Sequence, residues 1–235
     1  MEKIAIFSDI HGNLQALESI IEDINKQEFD EIIYLGDILG MGPNPEDCLK
    51  IIMDSRIKMV KGNHEIYQLD DRRYYGLVED EREHRDWINI QLSSNEFEYL
   101  NNLPIVYEKI INGKLFIFSH FFLNESKDYY ESLSLLTDNK IVECAKKTYC
   151  DYMFFGHSHD AFQISNSSLY TCVGSSGCRK DDTTFYTIVE IDDNVVIKRK
   201  EIKYDREKFV EIVNNIDYPR RKEIARDFFG IDVNE

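Results

Sequence analysis

Five short apolar runs in this chain each end in residue types that commonly bind metal ions. The five junctions read KIAIFSDIH, EIIYLGD, IKMVKGNH, KLFIFSH and YMFFGHSH. Short apolar runs of this kind are typical of buried strands, and ligands bind at the carboxyl ends of strands in open α/β sheets. The pattern therefore predicts an α/β fold with one site at the edge of a sheet.

The first sixty residues alternate between strand and helix patterns. Strands are predicted at 3–8, 31–35 and 57–60, and the apolar residues between Leu14 and Ile24 recur at helical spacing. A second helix is expected to begin at Pro45, with Asn44 as its cap. Strands linked in this way form βαβ units, so the first three junctions should lie side by side.

The rest of the chain is richer in strand patterns. Residues 66–103 are rich in Tyr and charge, with helical stretches at 83–92 and 95–102, and we interpret them as a helical insertion over the active face. Further strands are predicted at 105–110, 114–119, 152–155, 161–165, 169–173, 184–191 and 195–201, and helices at 140–147, 206–214 and 220–229. This order predicts two stacked sheets with helices outside, in a single domain of residues 1–235.

Charge and composition narrow the functional classes. The net charge of −16 disfavours long nucleic acid and anionic membranes, whereas a small phosphorylated substrate can bind if metal ions reverse the local charge. Met1 leads directly into an apolar strand, and the five cysteines form no CxxC pair, so we expect a cytoplasmic protein with free thiols. We expect Cys178 to pack near the active face. The oligomeric state is not predicted.

Eight ligand-type side chains occur at the strand junctions. They are Asp9, His11, Asp37, Asn63, His64, His120, His157 and His159. The set offers nitrogen and oxygen but no sulfur, which favours a pair of divalent cations over a structural zinc. Each motif alone has an ordinary alternative, such as a polar turn or a core histidine, but five of the six histidines occupy motif positions. The sixth, His84, lies in a run of charges and is expected to be solvated.

Together these motifs resemble the signature of the calcineurin-like metallophosphoesterase superfamily: D-x-H, G-D-x-x-G, G-N-H-[DE], H and G-H-x-H. The resemblance covers about residues 3–192. Within it, the GDILGMGPNPEDC loop, Trp87 and the VGSSGCR segment look like small prokaryotic phosphodiesterases of the YfcE type and diadenosine polyphosphate hydrolases. It implies a four-layer αββα sandwich of two mixed β-sheets flanked by helices.

The resemblance also implies ligands and catalytic roles. One metal would be held by Asp9, His11, Asp37 and His159, and the second by Asp37, Asn63, His120 and His157. His64 would be the catalytic imidazole, with Glu65 supporting the ligands. The two metal ions would be Mn or Fe, although Zn or Ni also suits such ligands. Arg179, or the backbone around Gly174 and Ser175, is expected to hold a second phosphate of the substrate.

The expected activity is hydrolysis of phosphodiester or pyrophosphate bonds in small nucleotide-like substrates. A metal-bridging hydroxide would attack phosphorus, and His64 would assist the leaving group. One alternative is a phosphomonoesterase or protein phosphatase, which is weakened because Ile38-Leu39-Gly40 replaces the D-R-G of protein phosphatases. The other is a catalytically silent scaffold of the same fold, which would be expected to lose ligands. Phe121 and Phe122 after His120, and Val173 before Gly174, depart from the usual pattern and bear on substrate choice.

Overall fold

The computed structural model describes residues 1–70, 77–127, 129–131 and 138–233, and its strands form two mixed five-stranded sheets. The strands are β1 Glu2–Phe7, β2 Glu31–Tyr34, β3 Lys58–Met59, β4 Val106–Ile111, β5 Lys114–Ser119, β6 Tyr152–Phe155, β7 Phe162–Ser165, β8 Leu169–Cys172, β9 Thr183–Ile191 and β10 Val195–Lys203. The first sheet has the order β10-β9-β1-β2-β3, and the second has the order β4-β5-β6-β8-β7. The β1–β2–β3 and β5–β6–β8 neighbours are parallel, so their carboxyl ends share an edge.

Helices connect and flank these strands. They are α1 Leu14–Asn25, α2 Pro45–Met53, α3 Asn63–Leu69, α4 Glu79–Asn89, α5 Ser94–Asn102, α6 Asp138–Lys147, α7 Arg206–Asn215 and α8 Arg221–Ile224, which continues into a π-helical turn at Ala225–Phe229. Among the described residues, no helix combines the length and the apolarity that a membrane span requires.

Alternate residues of β1 serve two different cores, because successive strand side chains point to opposite faces. Ile4 and Ile6 join Phe116, Phe118 and Phe154 of the second sheet in one buried cluster. The intervening residues of β1 join the cluster beneath α1 and α2. The second sheet repeats this on its outer face, where α6 covers β5 and β6. The predicted four-layer sandwich of two mixed sheets is therefore confirmed.

Several element boundaries differ from the sequence-based predictions. The third strand is limited to Lys58–Met59. Helix α4 begins four residues earlier than predicted, with three acidic residues in its first turn, where the positive end of the helix dipole favours them. Asn44 precedes α2 as predicted, but its side chain makes no capping hydrogen bond. Residues 71–76 of the predicted insertion lie outside the described residues.

The prediction that His84 is solvated is wrong. Its side chain is 8% exposed and lies at a junction between α4, the loop after β2 and the C-terminal region. Its Nδ1 donates to the carbonyl of Pro219 at 3.1 Å, and its Nε2 accepts from the backbone N–H of Met41 at 3.0 Å. Burial lowers the pKa of His84 to about 4. The charged residues around His84 in the sequence gave no indication that its ring is buried.

Candidate metal centre

The predicted ligands occupy an unusual backbone conformation. Asp9, His11, Asp37, His157 and His159 all have φ between 49° and 68°, and they are five of the nine non-glycine residues with positive φ in the described part of the chain. This region is disfavoured for residues with a Cβ and persists only where the surrounding structure enforces it. The folded loops thus hold these side chains against a local backbone preference, which is common at functional sites.

Asn63, His120 and His157 form one group, here called the amide side. The Asn63 Oδ1 atom is 2.9 Å from both His120 Nε2 and His157 Nδ1. The Nδ1 atom of His120 donates to the carbonyl of Leu35 at 2.9 Å. Burial and the neighbouring His120 lower the pKa of His157 to about 3, so its ring is neutral. A neutral imidazole has a lone pair with which to bind a metal.

His11, His159 and Cys178 form a second group, here called the thiol side. Their ligand atoms all lie within 4.8 Å of one another. His11 Nε2 is 3.1 Å from His159 Nε2, and Asp9 Oδ1 is 3.6 Å from the same His159 nitrogen. His11 Nδ1 donates to the carbonyl of Leu39 at 3.0 Å, so a neutral ring directs the lone pair of Nε2 toward the group.

Asp37 lies between the two sides. Its Oδ2 atom is 3.1 Å from His120 Nε2 and 3.8 Å from His11 Nε2, while its Oδ1 accepts from the backbone N–H of His64 at 2.9 Å. Burial opposes ionisation of this carboxyl, but the imidazoles of His120 and His64 outweigh it and lower its pKa well below the ordinary value. One ionised carboxylate is thus directed at both groups.

The chemistry of these donors suits cations. Because His120 Nδ1 donates to a backbone carbonyl, its Nε2 points an acceptor lone pair at the oxygens of Asn63 and Asp37 when the ring is neutral. A positive charge placed between these acceptors would satisfy all of them at once. Burial opposes protonation of His120, but Asp37 outweighs it and raises its pKa to about 9, so a proton supplies that charge when no metal does. Imidazoles whose second nitrogen is fixed by a carbonyl are typical of metal ligands.

Glu65 organises the loops that carry the ligands. Its buried carboxylate accepts four backbone N–H groups, those of Asp37 and Gly62 at 2.7 Å, Ile38 at 2.9 Å and Leu39 at 3.1 Å. Burial and the charge of Asp37 raise its pKa to about 7. These bonds tie the loop after β2 to the start of α3. At Gly62 a Cβ atom would lie 2.0 Å from Asp37 Oδ1, so glycine is required there.

His64 stands beside the ligand groups with its ring half-buried. Its ring lies 4.9 Å from that of His11 and 5.7 Å from that of Tyr67, centroid to centroid. A Cβ atom at Gly40 would approach His64 Nδ1 to 2.4 Å, so the second glycine of the G-D-x-x-G motif makes room for this imidazole. Burial lowers the pKa of His64, which favours its neutral form.

The predicted phosphate-binding residues have partners of their own. The Arg179 guanidinium bonds Asp181 at 2.8 Å and Thr183 at 3.0 Å, so a phosphate would have to compete with Asp181 for it. The Ser175 hydroxyl donates to the carbonyl of Asp9 at 2.7 Å and accepts from the N–H of Cys178. Gly174 turns the same loop at φ 80°.

Phe228 was not anticipated from the sequence as a neighbour of the site, and Cys178 was expected only to pack near the active face. The thiol of Cys178 reaches His11 and His159, although the predicted ligand set contained no sulfur. Phe228, in the C-terminal π-helical turn, places its ring 5.9 Å from that of His159. For Cys178 a signal existed, since it follows the loop after β8 at the same sheet edge; for Phe228 the sequence offers none.

The calcineurin-like phosphoesterase family matches residues 2–161. An uncharacterized protein of Methanocaldococcus jannaschii is 33% identical over 164 residues, which make up 68% of this chain and 63% of that protein. A metallophosphoesterase of Sphaerobacter thermophilus superimposes with a TM-score of 0.72 at 21% identity, covering 95% of this chain and 98% of that one. A putative diadenosine tetraphosphatase superimposes with a TM-score of 0.58 at 16% identity, covering 85% of this chain and 93% of that one.

The chain belongs to the calcineurin-like phosphoesterase family, as its motifs predicted. The two structural likenesses show that the fold is shared. The matched segment spans less than two thirds of the length of the Methanocaldococcus relative.

Proposed function

We propose that this protein is a metal-dependent phosphoesterase that cleaves phosphodiester or pyrophosphate bonds in small nucleotide-like substrates. The observation that carries the proposal is the position of Asp37, whose single carboxylate faces ligand groups on both sides. A carboxylate shared in this way suits a two-cation centre. Asp9, His11 and His159 would hold one cation, and Asn63, His120 and His157 the other, with Asp37 common to both.

Bound cations would supply positive charge to the phosphoryl oxygens and lower the pKa of the attacking water molecule. The residues of the chain do the rest. Glu65 and the carbonyls of Leu35 and Leu39 fix the ligand orientations, so little rearrangement is needed during the reaction. His64, being neutral, would donate a hydrogen bond to the leaving oxygen and stabilise its developing charge.

Aromatic rings around the centre support a nucleotide substrate. Phe228 adjoins His159 and Tyr67 adjoins His64, so rings flank the site on two sides. Nucleobases stack on such rings without sequence preference. The putative diadenosine tetraphosphatase that shares this fold agrees with a nucleotide substrate. The net charge of −16 makes a long polyanion an unsuitable substrate.

A substrate panel tests the proposal. Metal-stripped protein would be reconstituted with Mn²⁺ and assayed with bis-(p-nitrophenyl) phosphate, p-nitrophenyl phosphate and diadenosine tetraphosphate. We expect diester or pyrophosphate cleavage to exceed monoester cleavage. Equal or faster monoester cleavage would favour the phosphomonoesterase alternative. Less than one bound cation per chain after reconstitution would favour a silent scaffold instead.

A further inference from the structure

Cys178 lies where a metal ligand would lie, and its position is set by the fold. The loop that carries it is bound to the loop after β1 by four hydrogen bonds. Ser176 N–H donates to the carbonyl of Ser8 at 2.9 Å, Gly177 N–H and the Ser175 hydroxyl donate to the carbonyl of Asp9 at 3.0 and 2.7 Å, and the Asn13 amide donates to the carbonyl of Gly177 at 2.8 Å. These bonds fix the thiol relative to the ligands of the β1 loop.

The approach of the two loops is unusually close. A Cβ atom at Gly177 would lie 1.9 Å from the carbonyl oxygen of Ile10, so only glycine allows this contact. The next residue, Cys178, is thereby brought against the D-x-H loop, and its Sγ, His11 Nε2 and a nitrogen of His159 all lie within 4.8 Å of one another. Ligand atoms around one transition-metal ion are separated by comparable distances, since each bond is about 2.0–2.3 Å long.

Besides the two imidazoles, the thiol lies beside a second sulfur atom. Its Sγ lies 3.6 Å from the thioether sulfur of Met41, a weak acceptor. In contrast, the described residues that approach the amide side carry only imidazole, amide and carboxylate groups. Thiolate ligands select thiophilic ions, whereas oxygen-rich sites accept Mn²⁺ and similar harder ions.

We propose that Cys178 binds, as a thiolate, the cation held by His11 and His159, and that it makes this position prefer Zn²⁺ or Co²⁺ over Mn²⁺. On binding, the S–H bond breaks, a sulfur–metal bond forms and the proton passes to solvent, with no change in oxidation state. This inference rests on the proposed two-cation centre and adds a different metal preference for its two positions.

Cobalt spectroscopy of the full chain tests it. Metal-stripped protein would be titrated with Co²⁺ under reducing, anaerobic conditions, with bound cobalt measured by equilibrium dialysis. We expect a near-ultraviolet thiolate-to-cobalt charge-transfer band in the native protein and in a control, Cys172→Ser, whose buried sulfur donates to the carbonyl of Gly156 instead. In Cys178→Ser the band should vanish while cobalt still binds.

Affinity gives a second readout that does not depend on turnover. In Cys178→Ser we expect Zn²⁺ to bind about 10-fold or more weakly, with Mn²⁺ affinity unchanged. Bound cobalt without a charge-transfer band in the native protein, or a band that survives in Cys178→Ser, would overturn the role of Cys178 and leave the two-cation centre intact. No bound cobalt in the native protein would overturn both.

Discussion

The amide side and the thiol side of the centre are built differently, although they share Asp37. On the amide side, Asn63 and His120 are at most 5% exposed, and they follow strands of two different sheets. On the thiol side, the His159 side chain is 24% exposed and lies beside Cys178 and Phe228. Each side nevertheless pairs a fully buried imidazole, His120 or His11, with a half-buried one, His157 or His159. The two sides therefore differ in their donors, because only the thiol side includes sulfur.

This difference indicates a division of labour. Nitrogen and oxygen donors suit harder ions such as Mn²⁺, whereas a sulfur donor favours thiophilic ions. We therefore expect the amide side to retain Mn²⁺ and similar ions and the thiol side to set a preference among metals. Four experiments test these roles, in order of decreasing expected effect.

Replacing the shared carboxylate should affect both sides. In Asp37→Asn we expect loss of both cations and a fall in phosphodiester turnover of about 10⁴-fold, since charge stabilisation by the metals is lost with them. Metal content by mass spectrometry and turnover would be measured. Asp23→Asn, which removes a carboxylate paired with Lys200 far from the centre, is the control and should keep both. If Asp37→Asn retained two cations, cation binding on the two sides would not depend on this carboxylate.

Removing the imidazole beside the centre should separate binding from catalysis. In His64→Ala we expect both cations to remain while turnover falls by about 10²–10³-fold, because a hydrogen bond to the leaving oxygen is lost. Metal content and turnover would be measured on the same sample. The ligand atoms of His64, His11 and Asp37 lie within 4.8 Å of one another. If a cation is lost together with the ring, His64 is therefore a metal ligand.

Weakening the hydrogen bonds that Glu65 accepts from the loop after β2 should reduce the stability of the protein. In Glu65→Gln one carboxylate oxygen becomes an amide NH₂, so two buried backbone N–H groups lose their acceptor. We expect the free energy of unfolding in denaturant to fall by about 3 kcal/mol. The exposed Glu22→Gln, which breaks only a surface pair with Lys26, should cost less than about 0.5 kcal/mol. Similar small losses in both variants would contradict the role given to Glu65.

Lowering the pH should destabilise the folded protein through His84, which is buried close to the thiol side. Burial lowers its pKa in the folded protein to about 4 from an ordinary 6.5, so the unfolded chain takes up a proton first as the pH falls. Stability should therefore be lost between about pH 6.5 and 4, by about 2 kcal/mol on going from pH 7.5 to pH 5. Denaturant unfolding at the two pH values would be compared with His84→Gln, in which the total loss of stability should be smaller by about 2 kcal/mol. An equal loss in both would assign it to other groups.

The residues of the proposed centre and their positions after strands could be predicted from the sequence, because both depend on a few neighbouring residues. Each apolar run has a strand's composition, and the next few residues supply the donors, so the five junctions in KIAIFSDIH to YMFFGHSH needed no tertiary information. Element ends were less readable. Helix α4 begins earlier than predicted because three acidic residues favour its first turn, a capping effect that apolar spacing does not report.

Strand periodicity and motif spacing depend on neighbouring residues, so the family and the sandwich of two sheets could be predicted from the sequence, and the same motifs supply the nitrogen and oxygen donors of the proposed centre. Three contacts became visible in the folded protein alone: Cys178 lies beside His11, His84 is buried against Met41 and Pro219, and Arg179 is bound by Asp181. The first two depend on contacts between residues far apart in the chain. The third depends on whether the Arg179 guanidinium pairs with nearby Asp181 or with a bound phosphate, and neither composition nor spacing determines this.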